Sequence, residues 1–197
     1  MKRIVFCSLA LGSLIGCTER TLTSSEAAYL GTVLGNNVSY EDIKIQQGGL
    51  ADARPNGGAV AVGNTIYYNR DLYRENFVPQ DDVVFIEDLV TLAHEVTHIW
   101  QYTSGKTPNC TVAELASEHV EFGDEVYDYA QPLSRSKTFI DYRCEQQAQI
   151  VGDWVMLRAL NSPEASRYEA VIRVAMPLDE LFASQDVIFR NGSGLSN

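Results

Sequence analysis

Residues 79–105 read PQDDVVFIEDLVTLAHEVTHIWQYTSG, and the rest of the chain is organised around this stretch. Apolar side chains recur at three- and four-residue steps, at Phe85, Ile86, Leu89, Val90, Ala93, Val96 and Trp100, which is the stripe of an amphipathic helix. Asp81 and Asp82 suit the N-cap and first turn, where free N–H groups and the helix dipole favour carboxylates. Gly105 suits the C-terminal stop. Within the helix lies His94-Glu95-Val96-Thr97-His98. A four-residue step turns about 400°, so both imidazoles project from one face, one turn apart. Two nitrogens so placed can share one tetrahedral Zn²⁺, and Glu95 is offset so that its carboxylate reaches a water beside the metal rather than the metal. The chain has 3 histidines, and two of them stand in this motif, which favours a metal over two helix histidines bonded to nearby carbonyls.

At 197 residues the chain has the length of one domain with a substantial core. Residues 1–16 stand apart from that core. Lys2 and Arg3 form a short basic region, and Ile4 to Leu14 an apolar run too short to span a bilayer as a helix. Leu14-Ile15-Gly16-Cys17 follows, and the whole segment resembles a bacterial lipoprotein signal with its lipobox. That resemblance implies cleavage before Cys17, acylation of Cys17 and a lipid anchor in the cell envelope. Thr18 after the cysteine, rather than Asp, resembles the outer-membrane sorting signal. The alternative is an ordinary secretory signal cut nearby.

Losing the leader takes Lys2 and Arg3 from the 15 basic side chains and nothing from the 26 acidic ones, leaving a net charge of about −13. Such a surface argues against nucleic acid and against docking on anionic headgroups. It suits a cationic peptide, or is simply a soluble acidic surface. Of four cysteines, Cys7 leaves with the leader and Cys17 is acylated. Cys110 and Cys144 remain as an even pair in an oxidising compartment, so a disulfide is expected.

Taken in order, residues 17–24 read as the acylated cysteine and a polar tether, 25–190 as the domain and 191–197 as a tail. A helix is expected from Ser25 to Leu34, a strand from Asp42 to Gln46, and a hairpin of Ala59–Val62 and Thr65–Tyr68 about Gly63-Asn64. After the His-Glu-x-x-His helix come a helix over Val112–Phe122, a loop over Gly123–Ser136, a second long helix over Thr138–Leu160, another opened by Ser162-Pro163 and running to Ala175, and a last short one to Ser184. The fold class is α+β, predominantly helical, with a small sheet preceding the motif helix.

Two histidines and a water leave one position on a tetrahedral zinc. Glu145 stands out for it, because its helix segment CEQQAQIVGDW would turn that carboxylate toward the core, where a lone Glu is costly unless paired or metal-bound. A structural carboxylate at Glu145, or Glu114 or Glu118 as ligand, are the alternatives. His119 reads as a surface helix histidine. The metzincin continuation is absent, since Gln101 and Ser104 occupy the places of its glycine and third histidine.

Residues 59–153 resemble the gluzincins, zincin metallopeptidases with a ligand Glu on a later helix, and within them bacterial proteins related to the eCIS-core domains. The matching residues are Ile66-Tyr67-Tyr68, His94 to Gln101, Tyr127-Asp128-Tyr129, and Tyr142 with Glu145-Gln146-Gln147-Ala148. The resemblance implies a zincin-like fold, one Zn²⁺ held by His94, His98 and Glu145, and Glu95 as the base that activates water. Better-known gluzincins place an Asp four residues after the ligand Glu, where Gln149 stands here; Asp153 or Asp141 would then orient a ligand histidine. Tyr129, Tyr142 and Arg143 are the candidates for stabilising an oxyanion. The expected protein is therefore a membrane-anchored zinc metallopeptidase acting on peptide or protein substrates of the cell envelope. The rival readings are a non-catalytic scaffold that keeps the fold, and a cell-wall amidase that shares the metal ligands.

Overall fold

The computed structural model describes residues 18–53, 58–79, 83–129, 133 and 137–178. The expected leader, Cys17, Asp81 and Asp82, the helix to Ser184 and the tail lie outside these.

Four short strands form one sheet: β1 (Glu19–Thr21), β2 (Lys44–Gln47), β3 (Ala59–Val62) and β4 (Thr65–Tyr68), in the order β1-β2-β4-β3. β2 runs parallel to β4, and the two outer pairs are antiparallel. The hairpin turns as its sequence demands. Gly63 has φ +58 while Asn64 stays negative, the pattern of a two-residue turn with glycine first. One expectation changes here. Residues 19–21 are not tether but an edge strand, and Arg20 reaches from it to the first turn of helix α1 (Ser24–Leu34). Its guanidinium holds both oxygens of Glu26 at 2.7 and 2.8 Å, while the amides of Thr23 and Phe77 donate to the same carboxylate.

Helix α2 (Ile86–Thr103) carries the motif and is the central element. It starts later than the apolar stripe suggested. Phe85 is its extended N-cap and is 54% exposed, and Glu87 and Asp88 supply the first-turn charge. Leu89, Leu92, Val96, Ile99 and Trp100 are buried. Helix α3 (Val112–Phe122) begins at Thr111, whose hydroxyl accepts from the Glu114 amide. A 3₁₀ turn over Gly123–Tyr127 follows where a loop was expected.

The second long helix is shorter than expected. Phe139–Asp141 forms a separate 3₁₀ turn, Tyr142 and Arg143 are extended with ψ of 154° and 162°, and helix α4 runs only over Cys144–Ala159. Helix α5 (Ala165–Ala175) packs beside it. α4 crosses α2 closely at Gly152, where an added Cβ would stand 3.2 Å from Val90 Cγ1 and 4.0 Å from His94 Cβ. The core lies between sheet, α1, α2, α4 and α5, and Trp100 and Trp154 are its largest fully buried side chains. No helix among the described residues is long and apolar enough to cross a membrane.

Candidate metal centre

The close crossing of α2 and α4 brings Glu145, in the first turn of α4, over the histidine face of α2. His94 Nε2, His98 Nε2 and Glu145 Oε2 are mutually 3.2 Å apart. Ligand atoms about 2.0–2.1 Å from a tetrahedral zinc stand about 3.3–3.4 Å from one another, so this near-equilateral triangle fits one face of such a site. The three side chains form a group able to hold a metal ion.

Two of the three, His98 and Glu145, are themselves held by further side chains. His98 Nδ1 lies 2.8 Å from Gln101 Oε1, and Gln101 Nε2 donates to Cys144 O and to Gln147 Oε1. With its amide nitrogen so committed, Gln101 accepts from His98 Nδ1–H, which leaves the Nε2 lone pair for a metal. This is the partner for which Asp153 and Asp141 were the candidates, and neither fills that role. Asp141 caps Thr138 on the surface, and Asp153 accepts from Tyr129 and from Gln149 Nε2 at 2.7 Å. A glutamine one turn past the motif carries no signature in sequence, and only the packing of α4 against α2 gives it a role.

α3 contributes two consecutive side chains. The buried carboxylate of Glu118 accepts from the backbone amides of Cys144 and Glu145 at 3.0 and 3.1 Å, capping α4 from outside. Glu118 is thus a helix cap and not the third ligand. His119 Nε2 lies 2.8 Å from Glu145 Oε1. It was expected on the surface, yet its side chain is only 30% exposed and lines the same cleft. Glu114 is outside the group, and its backbone amide donates to the Thr111 hydroxyl in the first turn of α3. The disulfide Cys110–Cys144 forms as expected and ties the loop before α3 to the first residue of α4.

Charge follows from this geometry. Burial by itself would lower the His98 pKa, but the Glu145 carboxylate, with Glu95 and Gln101, raises it to about 9 in the metal-free protein. Burial would likewise raise Glu145, and the histidines outweigh it and hold that carboxyl well below its usual range.

The group opens into a cleft of about 830 Å³ between β3 and α3. Glu95 lines it, 5% exposed, and its buried Oε2 makes no hydrogen bond among the described residues. A buried carboxylate oxygen without a partner is costly unless water or substrate completes it. Of the oxyanion candidates, none lines this cleft. Tyr129 is held by Asp153 and Tyr168, Tyr142 is buried in the core, and Arg143 stacks on Phe122 at 3.8 Å and donates to Glu125 O and Val126 O. Tyr102 and Tyr127 line it instead. Burial, with Glu95 and Glu145 behind it, keeps Tyr102 protonated, and its hydroxyl donates to Ala61 O.

No family model matches the chain. It is 25% identical over 153 residues to the type VI secretion system spike protein VgrG2b of Pseudomonas aeruginosa; that alignment takes in 76% of this chain and 14% of the spike protein's length. The solved effector domain of P. aeruginosa VgrG2b superposes with a TM-score of 0.60 at 23% identity, over 81% of this chain and 84% of that one, which shows a shared fold. These likenesses correct the family expected from sequence: what the chain is similar to is an effector domain borne by a secretion spike, and not an eCIS-core-like gluzincin domain.

Proposed function

We propose that the chain is a zinc-dependent hydrolase of peptide bonds, its motif helix and α4 arranged in a zincin-like way. The observation that carries this is the 3.2 Å triangle of His94, His98 and Glu145 beside Glu95, whose buried Oε2 has no hydrogen-bond partner among the described residues; all four side chains line an open cleft. Zinc held there would lower the pKa of a water toward neutrality and polarise a carbonyl. The chain's own residues do the rest. Glu95 Oε2 accepts the proton of the attacking water and passes it to the leaving nitrogen. Gln101 keeps His98 in the tautomer that presents Nε2 inward. β3, an edge strand, forms one wall of the cleft, which supports an extended peptide or protein substrate lying along it.

Likeness to a secretion spike's effector domain supports a protein that is itself exported and acts as an effector. Together with the Leu14–Cys17 sequence it favours the cell envelope as the place of work, with Cys17 acylated and the bilayer as second partner. Cys17→Ser should release the protein from membranes or leave it unprocessed; an unmodified Cys17 by mass spectrometry would sink the anchor.

Metal content and turnover of wild type and Glu95→Gln, on a peptide library and on purified peptidoglycan, test the reading. Glu95→Gln should keep zinc and fold while losing roughly 10²–10⁴ in turnover, the scale of general acid–base catalysis. Cleavage of peptidoglycan alone would turn the assignment to an amidase. Equal activity in both proteins, or none in a zinc-loaded wild type, would end it.

A further inference from the structure

Glu145 is gripped at both ends by neighbours in sequence on α3. Its backbone amide donates to Glu118, and its Oε1 lies 2.8 Å from His119 Nε2. A carboxylate only accepts, so Nε2 carries the proton and donates. Oε2, meanwhile, is the oxygen 3.2 Å from both motif histidines. The two oxygens of one carboxylate therefore have different tasks, one toward the metal position and one toward His119. His119 itself stays outside the set: among the described residues, the group whose ligand atoms all lie within 4.8 Å of one another is His94, His98 and Glu145. The Cys110–Cys144 bridge and the Glu118 cap fix α3 against α4, so the His119 ring approaches from a braced helix.

We propose that His119 is a positioning residue that holds Glu145 Oε1, so that the carboxylate offers a metal one oxygen and not two. This rests on the metal-site reading above. Free to rotate, a carboxylate can chelate through both oxygens and raise the coordination number, which closes the position that substrate and water need. With Oε1 occupied by a hydrogen bond, Oε2 alone faces His94 and His98, and the site stays three-coordinate from protein.

The test uses the whole protein, zinc affinity by competition with a chelator, and the visible absorption of the Co²⁺-substituted form, which is intense for four-coordinate cobalt and weak for higher coordination. His119→Ala should weaken zinc roughly 10–100-fold, the usual effect of removing a group that orients a ligand, at unchanged stoichiometry. It should also dim the cobalt absorption. His119→Gln, which keeps an N–H donor at similar reach, should recover most of both. Wild-type affinity and spectrum in His119→Ala overturn the proposal. So does loss of zinc stoichiometry equal to that of Glu145→Ala, which would make His119 a ligand. Weakened affinity with an unchanged spectrum and no recovery in His119→Gln would mean a merely structural role, and overturns it too. A wild type that binds zinc but cleaves no peptide refutes the peptidase reading and leaves this one standing, because neither readout involves substrate.

Discussion

Two buried carboxylates of this molecule are satisfied by opposite means. Glu26, fully buried, faces the Arg20 guanidinium and the amides of Thr23 and Phe77. Glu145, 4% exposed, faces three imidazoles, those of His94, His98 and His119. An arginine never gives up its proton in a protein, so the first arrangement is permanent and serves to pin β1 to α1. An imidazole can exchange its proton for a metal near neutral pH, so the second can be rewired by what binds it. Burial of an acid marks an investment in either case, and the identity of its partners says whether it serves the fold or the chemistry.

The hardest way to break the contrast is to remove the permanent partner. Arg20→Ala strands a buried charge and should cost about 3–5 kcal/mol, read as a fall in chemical-denaturation midpoint, with zinc stoichiometry unchanged. Glu145→Ala should do the reverse, losing zinc while the metal-free protein loses less stability than Arg20→Ala, since histidines left behind can shed protons. Equal destabilisation with zinc retained in both would erase the distinction.

Next in size is the bridge. Closing the loop between Cys110 and Cys144, 34 residues apart, should stabilise by about 3–4 kcal/mol through the chain entropy of the unfolded state. Its loss in Cys110→Ser with Cys144→Ser should also weaken zinc retention, because the bridge braces the helix start that carries Glu145, while leaving the Arg20–Glu26 pair untouched. Unchanged zinc affinity in the double variant would show that the Glu118 cap alone sets the ligand.

The smallest effect is one of pH, and it belongs to the histidine centre. Folding raises the His98 pKa from 6.5 to about 9 in the metal-free protein. Its contribution to stability is therefore fully present below about pH 6.5 and is lost as pH rises through about 9. Zinc needs the neutral ring, so zinc affinity should climb over the same window. Melting temperatures of metal-free and zinc-loaded protein should diverge from pH 6.5 to 9.5. Parallel curves would mean that His98 is not charged by Glu145.

These contrasts also mark what could be read in advance. The motif helix, the hairpin, Glu145 and the cysteine pair were legible, because periodicity, spacing and an acid flanked by small and amide residues are local signals. The α3 boundaries followed from a threonine cap and a glycine stop. β1 was not legible: three polar residues become a strand only by pairing with β2. The break before α4 has no Pro or Gly to announce it, and Tyr142 and Arg143 are extended because Gln146 and Glu118 supply better partners to the start of a new helix. Gln101 and His119 were invisible for a third reason. Their partners lie 43 and 26 residues away, on an element whose direction only the packed core decides.

Gly152 has the same character. It stands about two turns beyond Glu145 on α4, pressed against Val90 and the base of His94. A tetrahedral ion demands one particular edge length between its ligands, and the two edges that run to Glu145 cross from one helix to the other. The crossing is therefore a gauge. A methyl group at position 152 would stand 3.2 Å from Val90 Cγ1, which must then yield by a few tenths of an ångström, so the closeness of the crossing rests on a side chain that is absent.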